Sequence, residues 1–227
     1  MICIAHRGAS GHEPENTLRA IKKALSMGAK WFELDVYPVE NELVVIHDEK
    51  LDRTTNGKGY VMEHSLRYIQ SLDAGKGEPV PLLREVFDLI NEDNCVNIEL
   101  KAKGTATLVS NLINEYVSNK NKNFKNFIVS SFIHDELRIL RTIDDKILLG
   151  ILSDRPYSGI LSLAKELAAY SINLKYTKVT KDFITDAHKE GLKVFTYTVN
   201  DKLSIEKMDN LGVDGVFTNF PELFYKK

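Results

Sequence analysis

Two cysteines in 227 residues, one tryptophan, six prolines and a formal net charge of only −2 set the first exclusions. Cys3 and Cys95 each fall inside an apolar, strand-like stretch, so the chain carries no disulfide framework and the pair reads as buried free thiols in a reducing compartment. The near-neutral balance leaves no overall field to attract nucleic acid or an anionic membrane, and an anionic ligand must be drawn in by a local site. No apolar run is long enough to span a bilayer, and no basic amphipathic stretch suits a stable membrane association. The first expected strand begins almost at Met1, which leaves no room for a leader, so a cytoplasmic protein is expected. The first turn, His6-Arg7-Gly8-Ala9-Ser10-Gly11-His12, lacks the G-x-G-x-x-G spacing of a dinucleotide fold.

What is present is an alternation. Short β-rich runs at Ile2 to His6, Trp31 to Val36, Val96 to Lys101, Phe127 to Phe132, Ile147 to Leu152, Ala169 to Leu174, Val194 to Val199 and Gly215 to Asn219 give eight expected strands. Helical patterns around residues 17–27, 83–91, 105–118, 134–142, 159–167, 181–189 and 204–211 separate them. Asn16-Thr17 and Thr180 supply caps, while Gly28, Gly191 and Gly212 stop helices that feed strands. Regular β–α alternation demands parallel crossovers, and the economical closure is a (β/α)₈ TIM barrel spanning residues 1–227 as one domain. One connection is too long for a βα unit. Between the second and third barrel strands an insertion of about 48–80 is expected, preceded by a short extra strand at Leu43 to Ile46 and containing a helix near Ser65 to Ser71.

The chemistry clusters at strand ends. Side chains two apart in a strand point the same way, so Glu33 and Asp35 share a face, as do Glu99 and Lys101. Turned into a barrel near its top, Glu33, Asp35 and Glu99 converge, and each like-charge pair at contact costs on the order of 4 kcal/mol at an effective dielectric near 20. A divalent cation resolves that conflict, and an all-oxygen donor set favours Mg²⁺ or Ca²⁺, with Mn²⁺ admissible, over zinc. An E-x-D on its own is commonly a solvated strand face, but Trp31, Phe32, Leu34 and Val36 make this segment too apolar for an edge. His6 ends the first strand and His47 the extra one. As a pair beside carboxylates they read as proton donor and acceptor, whereas His12, His64, His134 and His188 lack such surroundings. Arg7 offers a planar fork for phosphate oxygens, with a salt bridge to Glu15 as the plainer alternative, and Lys101 offers a point charge from the opposite side. Gly8 is expected to let backbone approach a ligand closely.

These segments, His6-Arg7-Gly8, Pro14-Glu15-Asn16-Thr17, Glu33-Leu34-Asp35, His47-Asp48 and Glu99-Leu100-Lys101, resemble the HRG, PENT, ExD, HD and ExK signature of the glycerophosphodiester phosphodiesterase family. Gly212-Val213-Asp214-Gly215-Val216-Phe217-Thr218-Asn219-Phe220-Pro221 resembles that family's closing segment, GVDGI-T-D or N and then a proline. Thr196-Tyr197-Thr198-Val199-Asn200 departs from its T-W-T-V-N, which bears on alcohol recognition. The resemblance implies metal-dependent hydrolysis of small glycerophosphodiesters to glycerol 3-phosphate and an alcohol. His6 would be the base, His47 the acid, Arg7 and Lys101 phosphate ligands, and Glu33, Asp35 and Glu99 the metal ligands. Glu15 and Asn16 become scaffold around the site, Tyr197 an aromatic beside the substrate, and the insertion a cover over the barrel mouth. The rival readings are a phospholipase acting on lysophospholipid or phosphoinositide, and a catalytically silent barrel that binds phosphate compounds. An intact pair of histidines argues against silence.

Overall fold

In the computed structural model, which describes residues 1–120 and 122–225, the strands run in the order β1 (Ile2–His6), β2 (Trp31–Val39), β3 (Glu42–Val45), β4 (Cys95–Leu100), β5 (Phe127–Ser131), β6 (Leu148–Ser153), β7 (Ser171–Lys175), β8 (Lys193–Tyr197) and β9 (Gly215–Thr218). Every strand but β3 pairs in parallel with its neighbours. The ring closes because β1 pairs with both β2 and β9, giving an eight-stranded parallel barrel.

Helices α1 (Leu18–Ser26), α2 (Leu66–Gln70), α3 (Leu83–Leu89), α4 (Thr105–Asn119), α5 (His134–Ile143), α6 (Ile160–Glu166), α7 (Lys181–Lys189) and α8 (Lys202–Leu211) complete the chain. All except α2 are barrel crossovers. Alternation along each strand sorts the side chains. One parity, including Phe32, Leu34, Ile98, Val129, Leu149, Ile172 and Val194, packs outward against the helices. The other fills the interior, where Ile4, Cys95, Ile128, Phe195 and Phe217 form an apolar plug toward the N-terminal ends. Above that plug the inward positions become polar. Cys3 and Cys95 are free and buried, and burial pushes both thiols up to about 12.

Element ends differ from expectation where local chemistry overrides pattern. Strand β2 continues past Val36 to Val39, through Pro38, because β3 folds back on it in an antiparallel hairpin. Glu40 and Asn41 turn that hairpin with φ of 49° and 66°, the left-handed pair that a two-residue connection requires. Lys101 and Phe132 lie just beyond their strands, and β7 begins at Ser171 rather than Ala169. Helix α8 begins at Lys202, not Ser204, because Asp201 accepts the Ser204 N–H as its cap.

From β3 to α3 the chain makes a long excursion over the barrel rim. It carries a small apolar cluster of its own, with Leu51, Val61 and Ile69 fully buried beside Val44, Ile46 and Val80. Short antiparallel bridges, Lys50 to Tyr60 and Asp73 to Pro79, fix its loops. No helix among the described residues is long and apolar enough to cross a membrane.

Candidate active site

At the C-terminal mouth of the barrel an open cavity of about 110 Å³ is lined by His6, Arg7, Glu33, His47, Asn97, Glu99, Lys101, Phe132, Leu152, Tyr197, Thr198 and Phe217. Strand register explains the convergence: His6 lies level with Glu33, Glu33 with Asn97, and Asp35 with Glu99. Glu33, Asp35 and Glu99 each place a carboxylate oxygen within 4.8 Å of the others.

The cluster is buried, Glu33 and Asp35 almost wholly so. Burial pushes the Glu33 carboxyl well up, reinforced by Asp35 and Glu99. Burial and then Asp35 push Glu99 up to about 7 against the pull of Lys101. Two cations already stand among the acids. Lys101 Nζ is 2.7 Å from Glu99 and 3.5 Å from Asp35, and Arg7 Nε is 3.4 Å from Asp35. Glu33 Oε1 and Asp35 Oδ1 are buried and accept no hydrogen bond from the protein. Orphaned carboxylate oxygens facing one another are what a hard divalent cation would satisfy, so the donor set fits such an ion.

Arg7 sits at φ 55°, which turns its backbone N–H onto Glu33 Oε2 at 3.0 Å. Its guanidinium donates to Glu15 Oε1 at 2.8 Å, so the expected salt bridge forms alongside the cavity-lining position. Burial opposes the charge on Arg7, but Asp35, Glu33 and Glu15 together outweigh it and raise its pKa. Gly8 does not face the cavity as expected. A Cβ there would lie 2.6 to 2.8 Å from the backbone of Ala20 and Ile21, so the glycine lets α1 pack against the first turn. Thr17 is the cap of α1, accepting from Ala20 N at 3.1 Å. Asn16, at φ 58°, reaches instead to the metal-binding candidates: its Nδ2 donates to Asp35 Oδ2 at 2.9 Å, and Asp35 N–H donates back to Asn16 Oδ1 at 3.3 Å.

The two histidines have different surroundings. His6 Nδ1 donates to Asn219 Oδ1 at 2.7 Å, at the end of β9, leaving Nε2 free 3.8 Å from Glu33. Burial, followed by the nearby Arg7 charge, lowers His6 to about 4 and keeps it neutral. His47 Nδ1 donates to Asp48 Oδ1 at 2.5 Å, and about a third of its side chain is exposed. Tyr197 lines the cavity edge-on to Phe132, with ring centroids 6.0 Å apart, and its hydroxyl donates to Ser153 O. The other histidines are engaged elsewhere: His12 with Glu222, His64 with the Lys58 carbonyl, His134 with the Leu152 carbonyl and His188 with Asp214.

Three participants carry no clear sequence signal. Asn97, within β4, and Phe132, just past β5, lie in segments that read only as pattern. Arg53 lies in the turn-rich loop after β3 and ties Glu15 to Asp48.

The glycerophosphoryl diester phosphodiesterase family model matches residues 6–223. A glycerophosphodiester phosphodiesterase of Caldanaerobacter subterraneus subsp. tengcongensis is 39% identical over 97% of this chain and 95% of its own length. One from Bacillus subtilis is 32% identical over the whole of this chain and 86% of its own. Among solved structures, an Oleispira antarctica phosphodiesterase in complex with the product sn-glycerol-3-phosphate superposes with a TM-score of 0.89 at 28% identity, covering 98% of this chain and 94% of that one.

Proposed function

We propose that this chain, which belongs to the glycerophosphoryl diester phosphodiesterase family, cleaves small glycerophosphodiesters such as glycerophosphocholine or glycerophosphoethanolamine by paired histidine acid–base catalysis at a divalent-cation site. Glu33, Asp35 and Glu99 would hold the ion, Mg²⁺ or Ca²⁺ with Mn²⁺ as a substitute, with Glu33 Oε1 and Asp35 Oδ1 accepting no hydrogen bond from the protein. When bound, such an ion supplies Lewis acidity toward a phosphoryl oxygen.

The remaining work belongs to the chain. His6, neutral and with Nε2 free, takes the proton of the attacking hydroxyl, which comes from water or from the substrate's own glycerol. Asn219 fixes the tautomer that leaves Nε2 as the acceptor. Arg7 and Lys101 take up the charge that gathers on the equatorial oxygens as phosphorus becomes five-coordinate. His47, entering as the imidazolium with its Nδ1–H on Asp48, gives the Nε2 proton to the departing alkoxide as the phosphorus–oxygen bond breaks and is left neutral. Tyr197 and Phe132 lie along one side of the cavity and present apolar surface to the alcohol portion.

The observation that carries this reading is the meeting of two separately oriented imidazoles with a cluster of three carboxylates, two of which line the same cavity. The related Oleispira antarctica structure holds sn-glycerol-3-phosphate, a product of that reaction. Turnover of glycerophosphocholine to glycerol 3-phosphate, lost on chelation and restored by Mg²⁺, Ca²⁺ or Mn²⁺, is the expected result. Full activity in protein shown by elemental analysis to carry no metal would refute the cation's role.

A further inference from the structure

Arg53 Nε and one terminal nitrogen clasp Asp48 at 2.6 and 3.0 Å, while its two terminal nitrogens clasp Glu15 at 2.9 and 2.7 Å. Both carboxylates are shared with cavity residues. Of the two Glu15 oxygens, Oε1 also accepts from Arg7 at 2.8 Å. Of the two Asp48 oxygens, Oδ1 also accepts from His47 at 2.5 Å. A single guanidinium therefore stands between Arg7 and His47 without reaching the cavity lining.

We infer that Arg53 is a positioning residue, holding His47 through Asp48 and Arg7 through Glu15. This inference rests on the proton-transfer role proposed for His47. An exposed ion pair contributes little to stability, typically about 0 to 1 kcal/mol, and the side chain of Arg53 is 47% exposed. Its expected effect is thus on geometry. Two carboxylates gripped by one planar fork cannot rotate independently, and the alignment of a catalytic group within a fraction of an ångström governs rate. Lysine, a point charge on a flexible stem, cannot reproduce two bidentate contacts at once.

The backbone around Arg53 is built to hold it. Leu51, two residues before, is fully buried, and its N–H donates to Gly59 O. Its carbonyl accepts both the N–H and the hydroxyl of Thr55. The same excursion grips the loop after β1 at two further points. Lys76 Nζ donates to Glu13 at 2.7 Å and to the His12 carbonyl at 3.1 Å, and Gly75 packs so tightly on Pro14 that a Cβ would come within 2.9 Å of its ring.

The test is a double-mutant cycle on the metal-loaded enzyme with glycerophosphocholine, using R53K, R53Q, H47A and the R53K/H47A and R53Q/H47A pairs. R53K should lose about tenfold or more in kcat with a raised KM and an unchanged melting temperature. In the H47A background the same change should lower kcat by less than about threefold, because only the part that acts through Arg7 is left. Full activity in R53K and R53Q, or losses that multiply with H47A, would overturn the inference. Should R53K alone misfold, the R53Q cycle reads the same coupling. Wild-type activity in H47A would instead remove the proposed proton-transfer role, an outcome separable because it appears without any change at Arg53.

Discussion

Asn16 and Asp35 exchange two hydrogen bonds, side chain to side chain at 2.9 Å and Asp35 backbone to Asn16 side chain at 3.3 Å. The exchange fixes which Asp35 oxygen is hydrogen-bonded to the protein, Oδ2, and which accepts no hydrogen bond and has only the Lys101 ammonium nearby, Oδ1. A residue at φ 58° has thereby become the orienter of a buried carboxylate.

Asn16→Gly keeps the left-handed backbone and removes only the amide. Leaving the buried Asp35 short of a donor should destabilise the fold by about 1 to 3 kcal/mol and weaken divalent-cation affinity by roughly 10- to 100-fold. Chemical denaturation and calorimetric titration of the chelated protein read the two effects. Unchanged affinity would remove Asn16 from the support of the cation site.

Glu99 yields a pH-dependent prediction. Its carboxyl is raised in the folded chain from 4.5 to about 7. The folded state therefore holds this proton more tightly than the unfolded one, and the penalty for ionising Glu99 is fully present above about pH 7 and gone below about 4.5. Without metal, Glu99→Gln should melt higher than the wild type at pH 8, with the gap closing as pH falls toward 4.5. With Mg²⁺ or Ca²⁺ present the order should reverse, since the variant has lost a charged ligand. A gap in melting temperature that does not vary with pH would contradict the assignment.

Much of the barrel was legible because period-two apolar runs alternate with amphipathic ones, and the parity of Glu33, Asp35 and Glu99 followed from strand geometry alone. The extension of β2 through Tyr37-Pro38-Val39 was not, since proline weakens a strand reading and the pairing that rescues it comes from β3. Arg53 escaped for a different reason. A side chain that bridges two carboxylates, one 38 residues away, leaves no trace in any local periodicity. Gly8 was legible as a required glycine but assigned the wrong neighbour, because sequence shows the need for a missing Cβ and not what would strike it.

His6→Ala and His47→Ala should each lower turnover of a natural diester by about 10² to 10⁴. The two deficits should separate with the leaving group. Choline departs as a poor alkoxide that needs a proton, whereas p-nitrophenolate leaves unaided. His47→Ala should regain much of its activity on a p-nitrophenyl diester, and His6→Ala should not. Recovery in the His6 variant alone would reverse the assignment, and equal deficits on both substrates would deny either histidine the part of a discrete acid.

Gly8→Ala should cost on the order of 3 kcal/mol, since the new methyl meets backbone atoms of α1 that have no side-chain freedom to yield. Ligands of the cation site are untouched, so any protein that does fold should bind the ion normally. A fully stable variant would show that α1 can move away from the first turn.

His6 takes its orientation from Asn219, 213 residues downstream, and β1 finds its second partner only in β9. During synthesis one edge of the first strand stays open until β9 has been made. An open edge is a template for mispairing, and its closure is a contact of nearly maximal sequence separation. His6 thus acquires its tautomer in the step that seals the ring. Nascent chains ending before β9 should be hydrolytically inert whatever their content of native helix and strand.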